Sequence, residues 1–348
     1  MLTARQNLIE TIRGGKPDRF VNQYEGIVLL DHPYTKRNNG CPKGGKDVIN
    51  AWGVNYCWPE GHPGAYPVHT PETIVVKDIE EWQDYVNPPS LKFTDEEWDF
   101  YKQQYDAIDR SKAFAAAFVA PGFFEQCHHL CSMPEALMNF IANPDEMKDM
   151  IRRFVDWELE LAEGICSHLH PDALFHHDDW GSERSTFLSP DMFAEFFVEP
   201  YKEVYKYYHE HGVELVFHHS DSYAATLVPH MIEMGIDVWQ GVMDSNDIAT
   251  LLPKYGGQIA FMGGIDNKFI DHEGWTDDEC DKIIASVCEK YGEEYGGKYF
   301  IPCITQGGPG SCVPGAYEGL FKAMDRYNAK RFGLSGFEKE RVPMQVIF

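Results

Sequence analysis

PDALFHHDDWGSERSTFLSPDMF, residues 171–193, decides how the chain is read. The apolar run Asp172–His177 has the length and composition of a buried strand. Polar groups crowd in directly after it: His177, Asp178, Asp179, Trp180 and Glu183. Ser189–Pro190 then supplies an N-cap and a proline at the first helical position, so a helix follows. Strand, polar loop, helix is the repeating unit of a parallel sheet covered by helices.

Working outward, the same unit recurs. Ala113–Ala120, Val213–His218, Ile236–Gln240, Ile259–Gly263 and Tyr299–Cys303 read as further strands. Asn143–Pro144 opens a helix carrying Met147, Met150, Phe154, Trp157, Leu161 and Ile165 at helical spacing, and Thr276 with Glu279 opens another. Near the start, Thr3 and Gln6 form a capping-box pattern ahead of Ile9 and Ile12, and RFVNQYEGIVLL (19–30) holds an early strand. That makes seven strands, and residues 31–111 have room for an eighth. The expectation is an α/β fold, a single TIM (β/α)8-like barrel. Residues 1–111 form its elaborated N-terminal segment (helix, first strand, lid-like insertion), 112–331 the regular part and 332–348 a tail. At roughly 150 residues per domain a 348-residue chain suggests two domains, but α/β barrels reach this length as one.

Composition narrows the function. Thirty basic against 55 acidic residues leave a net charge of −25, which argues against nucleic-acid backbones and anionic membrane surfaces as partners. With 43% hydrophobic and 14% aromatic residues, a disordered acidic chain is excluded. The nine cysteines are scattered and odd in number, the start has no apolar leader, and no apolar run approaches a bilayer span. A cytoplasmic location is expected. GxGxxG and GxxxxGK[ST] are both missing; QGGPGS (306–311) is a glycine-rich turn after a strand that suits an anion only weakly.

In a parallel barrel the active site lies at the carboxyl ends of the strands. The residues there are rich in metal donors: His177, Asp178, Asp179 and Glu183; then His218, His219 and Asp221; then Asp266; then Cys303 and Gln306. Tyr24–Glu25 and Phe123–Phe124–Glu125 hold equivalent places earlier. Such donors, converging from separate strand ends, suit a zinc site of three or four ligands. Plainer readings exist for each. His176 and His177 are adjacent, so at most one points inward; Cys303 alone is an ordinary buried thiol; Asp178–Asp179 could cap the next segment. Two carboxylates at that mouth would also suit a glycosidase. The loop WGVNYCWPEGHPGAYP (52–67) carries Trp52, Tyr56, Trp58 and Tyr66 among glycines and prolines. It reads either as a lid of flat apolar surfaces over a ligand or as a loop pinned to the barrel by its own rings.

RQNLIETIRGGKPDR (5–19), NPDEM (143–147), DDWGSERSTFLSPDMF (178–193), FHHSDS (217–222) and FMGGID (261–266) together resemble the uroporphyrinogen decarboxylase superfamily. The resemblance spans nearly the whole chain and implies a TIM barrel. The decarboxylases of that superfamily use an arginine-rich start to bind a tetrapyrrole, and the stretch after Asp18 lacks such a cluster. The corrinoid-dependent methyltransferases carry zinc on a His-x-Cys pair and a later Cys. His219-Ser220-Asp221 matches that pair with Asp in place of Cys, and Cys303 matches the later cysteine. A hard oxygen in place of a thiolate leaves zinc better suited to an oxygen ligand. The chain most resembles the first methyltransferases of acetogen aryl methyl ether O-demethylases, in which zinc ligation is associated with Glu and His.

That resemblance implies methyl transfer from a small methoxylated aromatic to cobalt(I) of a corrinoid (cobalamin) carried by a partner protein. It implies zinc on His219, Cys303, Glu183 and Asp221, with Glu199 a further option. Asp179 and Tyr24 are then the candidate acids, and Trp58, Phe123, His177 and Trp180 the candidate substrate contacts. The alternatives are a uroporphyrinogen-type decarboxylase, a corrinoid methyltransferase acting on a methylamine or methyl thiol, and a metal-dependent hydrolase or lyase.

Overall fold

A computed structural model describes residues 1–62, 64–306 and 312–343. After the helix Ala4–Ile12 come β1 (Ile27–Leu30), β2 (Val48–Ile49), β3 (Asn55–Cys57) and β4 (Tyr66–Pro67). Then follow β5 (Phe114–Val119), β6 (Ala173–His177), β7 (Leu215–His219), β8 (Val238–Val242), β9 (Ala260–Ile265) and β10 (Phe300–Ile304), with helices between them. β1 and β5–β10 form one curled sheet in the order β1-β5-β6-β7-β8-β9-β10, every pair parallel. Its strands are apolar almost without interruption (FAAAFV, ALFHH, LVFHH) because both faces are covered, one by helices and one by the barrel interior.

The seven strands expected are the seven found. The eighth is not there among the described residues, and this corrects the expected (β/α)8 count. Residues 31–111 instead build the small antiparallel sheet β2-β3-β4 and several helices. The seam between β1 and β10 is spanned by side chains: the Ile304 N–H donates to Gln23 Oε1 at 3.4 Å. The helix Ala316–Phe332 lies over that seam. Its Asn328 side chain accepts from the Phe20 N–H (3.1 Å) and donates to the Phe20 carbonyl (2.9 Å). Glu25, buried there, faces Arg19 at 3.5 Å and Arg341 at 3.4 Å.

Local signals mostly did what their chemistry dictates. The Thr3/Gln6 and Thr276/Glu279 boxes are both formed, and Ser189 accepts from the Met192 N–H at 3.2 Å. Asn143 differs: its amide bonds Asn139 at 3.0 Å and makes no cap, although the helix Pro144–Leu169 starts where expected. No helix among the described residues is long and apolar enough to cross a membrane.

Candidate active site

The pairing of β6 with β7 sets the site. Parallel register places His176 beside His218 and His177 beside His219. Side chains alternate along a strand, so the two histidine pairs face opposite ways. His176 and His218 face the helical layer: His176 Nε2 meets Glu158 at 2.9 Å, and His218 Nδ1 meets the Tyr205 hydroxyl at 2.7 Å. His177 and His219 line a cavity of about 860 Å³, their rings stacked at 4.5 Å and 19°.

On that wall His177, Asp179 and His219 each offer a ligand atom, all within 4.8 Å of one another. Both rings are held from behind. His177 Nδ1 donates to Glu125 Oε2 at 2.9 Å, and His219 Nδ1 donates to Gln240 Oε1. Each Nε2 is thereby left to face the cluster, the arrangement by which outer partners orient metal-binding histidines. The Asp221 N–H donates to Asp179 Oδ1 at 2.9 Å, and the Asp221 side chain lines the same cavity.

The electrostatics point to a cation. Burial works to lower the His177 pKa, yet the Glu125, Asp179 and Asp221 carboxylates outweigh it and hold the ring up at about 10. His219 is driven down to about 4, first by burial and then by the charge on His177. Burial, reinforced by Asp179, raises Asp221 well above the usual carboxylate range; burial also raises Glu125. Three carboxyl groups thus crowd around two imidazoles, a surplus of acidic donors that a bound cation would relieve. Two histidine nitrogens and an aspartate oxygen with a second carboxylate alongside fit a zinc-type ion.

Asp178 has a different job. The helix Phe123–Cys131 begins at Gly122, which has no side chain to cap it. Its first three N–H groups are satisfied from elsewhere: Phe123 by Tyr201 Oη (2.9 Å), Phe124 by Asp178 Oδ2 (3.0 Å) and Glu125 by Asp178 Oδ1 (2.7 Å). Tyr201 Oη and Trp180 Nε1 donate to the same carboxylate. A Cβ at position 122 would lie 2.4 Å from both Asp178 Cβ and Tyr201 Oη, so only glycine lets the helix start this close. This cap positions Glu125 behind His177.

The aromatic loop does two things. Trp52 is buried, donates to the Tyr34 hydroxyl at 2.8 Å and packs edge-on against Trp157 at 5.1 Å, which pins the loop. Tyr56 and Trp58 line the cavity with Phe123 and Phe175, while Tyr66 stays exposed outside it.

Of the expected site residues, Tyr24, Trp58, Phe123, His177, Asp179, His219 and Asp221 meet at this one cavity. Three others do not. Trp180 is packed 4.0 Å from His218 in the helical layer, so it is core and no substrate contact. Glu183 is exposed and lines a separate polar cavity of about 840 Å³ with Asp266 and Lys268. Cys303 is fully buried, hydrogen-bonded to Tyr24 and Gln240, with its thiol pushed up by burial, and lies outside the close donor group. Glu199 is 78% exposed and pairs with Lys202 at 3.1 Å, which sets it aside as well. Positions 307–311 of the glycine-rich turn lie outside the described residues. Sequence reasoning missed Gln240, His128 and His129. The signal for the last two was the Glu125–His128–His129 spacing, which puts three donors on one helix face.

Among curated proteins no relative matches the chain. A methyltransferase from Methanosarcina mazei shares the fold at a TM-score of 0.63 and 13% identity, over 94% of this chain and 99% of that one. A modular endo-beta-1,4-mannanase from Cellulomonas fimi, also 13% identical, aligns over 95% of this chain and 75% of its own at a TM-score of 0.42, too low to carry an argument. The uroporphyrinogen decarboxylase (URO-D) family model matches residues 48–300, most of the sheet and the whole metal-capable wall, and the chain belongs to that family.

Proposed function

We propose that this protein is a corrinoid-dependent methyltransferase of the O-demethylating kind. It takes a methyl group from a small methoxylated aromatic and passes it to cobalt(I) on a partner corrinoid protein. The observation that carries the reading is the His177–Asp179–His219 cluster set into the wall of an aromatic-lined cavity. The likeness of fold to an archaeal methyltransferase agrees with it. The decarboxylation for which the family is named needs cations for a polycarboxylate, and Lys43 is the only lysine or arginine among the described lining residues. The nine free thiols suit a reducing, cytoplasmic setting.

His177, Asp179 and His219, with Asp221 beside them, would hold zinc; when bound, it supplies Lewis-acid stabilisation of charge on the ether oxygen. The chain's own groups do the rest. Tyr56, Trp58, Phe123 and Phe175 offer flat apolar walls for the ring. Breaking the methyl–oxygen bond leaves the electron pair on the aryl oxygen, which then needs a proton. The Tyr24 phenol, kept protonated by burial, lines the same cavity and is the proton source. Glu125 and Gln240 hold the two imidazoles in place.

The test follows cobalt(I) cobalamin spectrally as it becomes methylcobalamin with a panel of donors. Methoxyaromatics should be active. His219→Ala should lose the ion of this cluster and most turnover. Conversion with methylamines or methyl thiols alone would overturn the substrate class, and carbon dioxide release from a porphyrinogen without any methyl transfer would overturn the reaction.

A further inference from the structure

A second group of donors sits on the helix that begins at Gly122. Glu125, His128 and His129 occupy positions i, i+3 and i+4, so one helix face presents all three. Their ligand atoms lie within 4.8 Å of one another. We propose that Glu125, His128 and His129 form a second divalent-cation site of the zinc type, adjoining the first. The donor set, two imidazoles and a glutamate, is one that catalytic zinc ions take while keeping a position open. Glu125 and His129 line the 860 Å³ cavity, so the donor group borders the space proposed for the substrate.

Three details favour a site over packing alone. The His128 imidazole makes no hydrogen bond among the described residues, although its ring lies 4.6 Å from that of His129 and 5.4 Å from Phe124. Core packing explains one such ring readily, but two adjacent imidazoles turned toward one carboxylate are poorly explained by it. The Tyr56 hydroxyl meets His129 Nδ1 at 2.9 Å, which fixes that ring from behind and leaves Nε2 toward the group, as an outer partner does at a metal site. Glu125 uses Oε2 on His177, and its Oε1 has no hydrogen bond among the described residues. One carboxylate therefore serves as the outer partner of the first cluster and a ligand of the second. The two sites share Glu125, while His128 and His129 are donors that the function proposed above does not require.

The test counts zinc on the full-length protein after chelator stripping and reconstitution with Zn(II), by mass spectrometry of the metal. Two ions per chain are expected for the parent protein, one for His128→Ala and one for His219→Ala. His128→Asn, closer in size, repeats the count if the alanine variant does not fold, with circular-dichroism melting as the control. Tyr56→Phe should keep both ions but weaken one by roughly tenfold or more. A single ion that His219→Ala removes and His128→Asn retains would overturn the second site, as would two ions retained in His128→Asn. A count lowered by His128→Asn but not by His219→Ala would support the second site and defeat the first.

Discussion

Replacing Asp178 with asparagine tests how the candidate site is held together. Three donors converge on Oδ2 (Phe124 N, Trp180 Nε1 and Tyr201 Oη) and one, Glu125 N, on Oδ1. An asparagine that keeps its oxygen at Oδ2 turns its NH2 toward the Glu125 N–H. One charge-assisted bond is lost outright, a buried N–H is left without an acceptor, and three bonds fall from charged to neutral strength. At ~1.5–3 kcal/mol for the lost bond and ~1–3 kcal/mol for the orphaned donor, with partial relaxation, the loss is about 3–5 kcal/mol. Unfolding entropy of ~2.1 cal/mol/K per residue makes that a fall in Tm of roughly 4–7 °C for a chain of this size. The measurement is calorimetry at pH 8 and fixed scan rate, because burial holds the Asp178 carboxyl up at about 7 and it must be ionised for the comparison. Tyr201→Phe, which removes one donor to Asp178 and the acceptor for Phe123, should cost less. If burial of the charge dominates, Asp178→Asn will melt at or above the parent temperature, and the capping account fails.

Three further outcomes are expected. Burial drives His32 down to about 4 from its ordinary 6.5, so the unfolded chain binds a proton there that the folded chain does not. Stability is then full above pH 6.5 and lost as pH falls toward 4, by ~1.4 kcal/mol per pH unit and about 3 kcal/mol in all, and His32→Gln should remove that part of the slope in urea titrations. Trp58→Ala should raise KM severalfold for a methoxyaromatic while sparing kcat, since a ring wall binds ground and transition states alike; a fall confined to kcat would contradict this. Cys303→Ser and Glu183→Ala should each keep the parent zinc content, and loss of an ion from either would return that residue to the ligand set.

What the sequence revealed and what it hid follow from the range of the forces involved. Strands such as Ala173–His177 and Leu215–His219 were legible because two covered faces demand continuous apolar runs, and caps such as Thr276 with Glu279 because they act within four residues. His219, Asp179 and Asp221 were legible because strand ends meet at one mouth. Side-chain direction was not. Register decides that His177 joins His219 while His176 and His218 turn to the helices, and register belongs to two strands at once. Asp178 looked like a cap for the segment after it and instead caps a helix more than 50 residues earlier, a long-range contact that no local pattern encodes. Glu183 followed a strand end but sits on a loop whose Gly181–Thr186 bridge carries it to the other cavity.

The seam between β1 and β10 has a consequence for the order in which the chain is made. β1 pairs with β5 on one side, while at the seam on its other side Ile304 meets Gln23 and Arg341 meets Glu25, partners that follow about 280 residues or more later in synthesis. At ~5–20 residues per second the nascent protein spends tens of seconds with that edge open and with Glu25 lacking Arg341. An uncovered strand edge pairs readily with other chains. Stalled or slowed translation before residue 300 should therefore be the most hazardous moment in the life of this protein, and ribosome-bound chains of that length the ones that holdase chaperones capture.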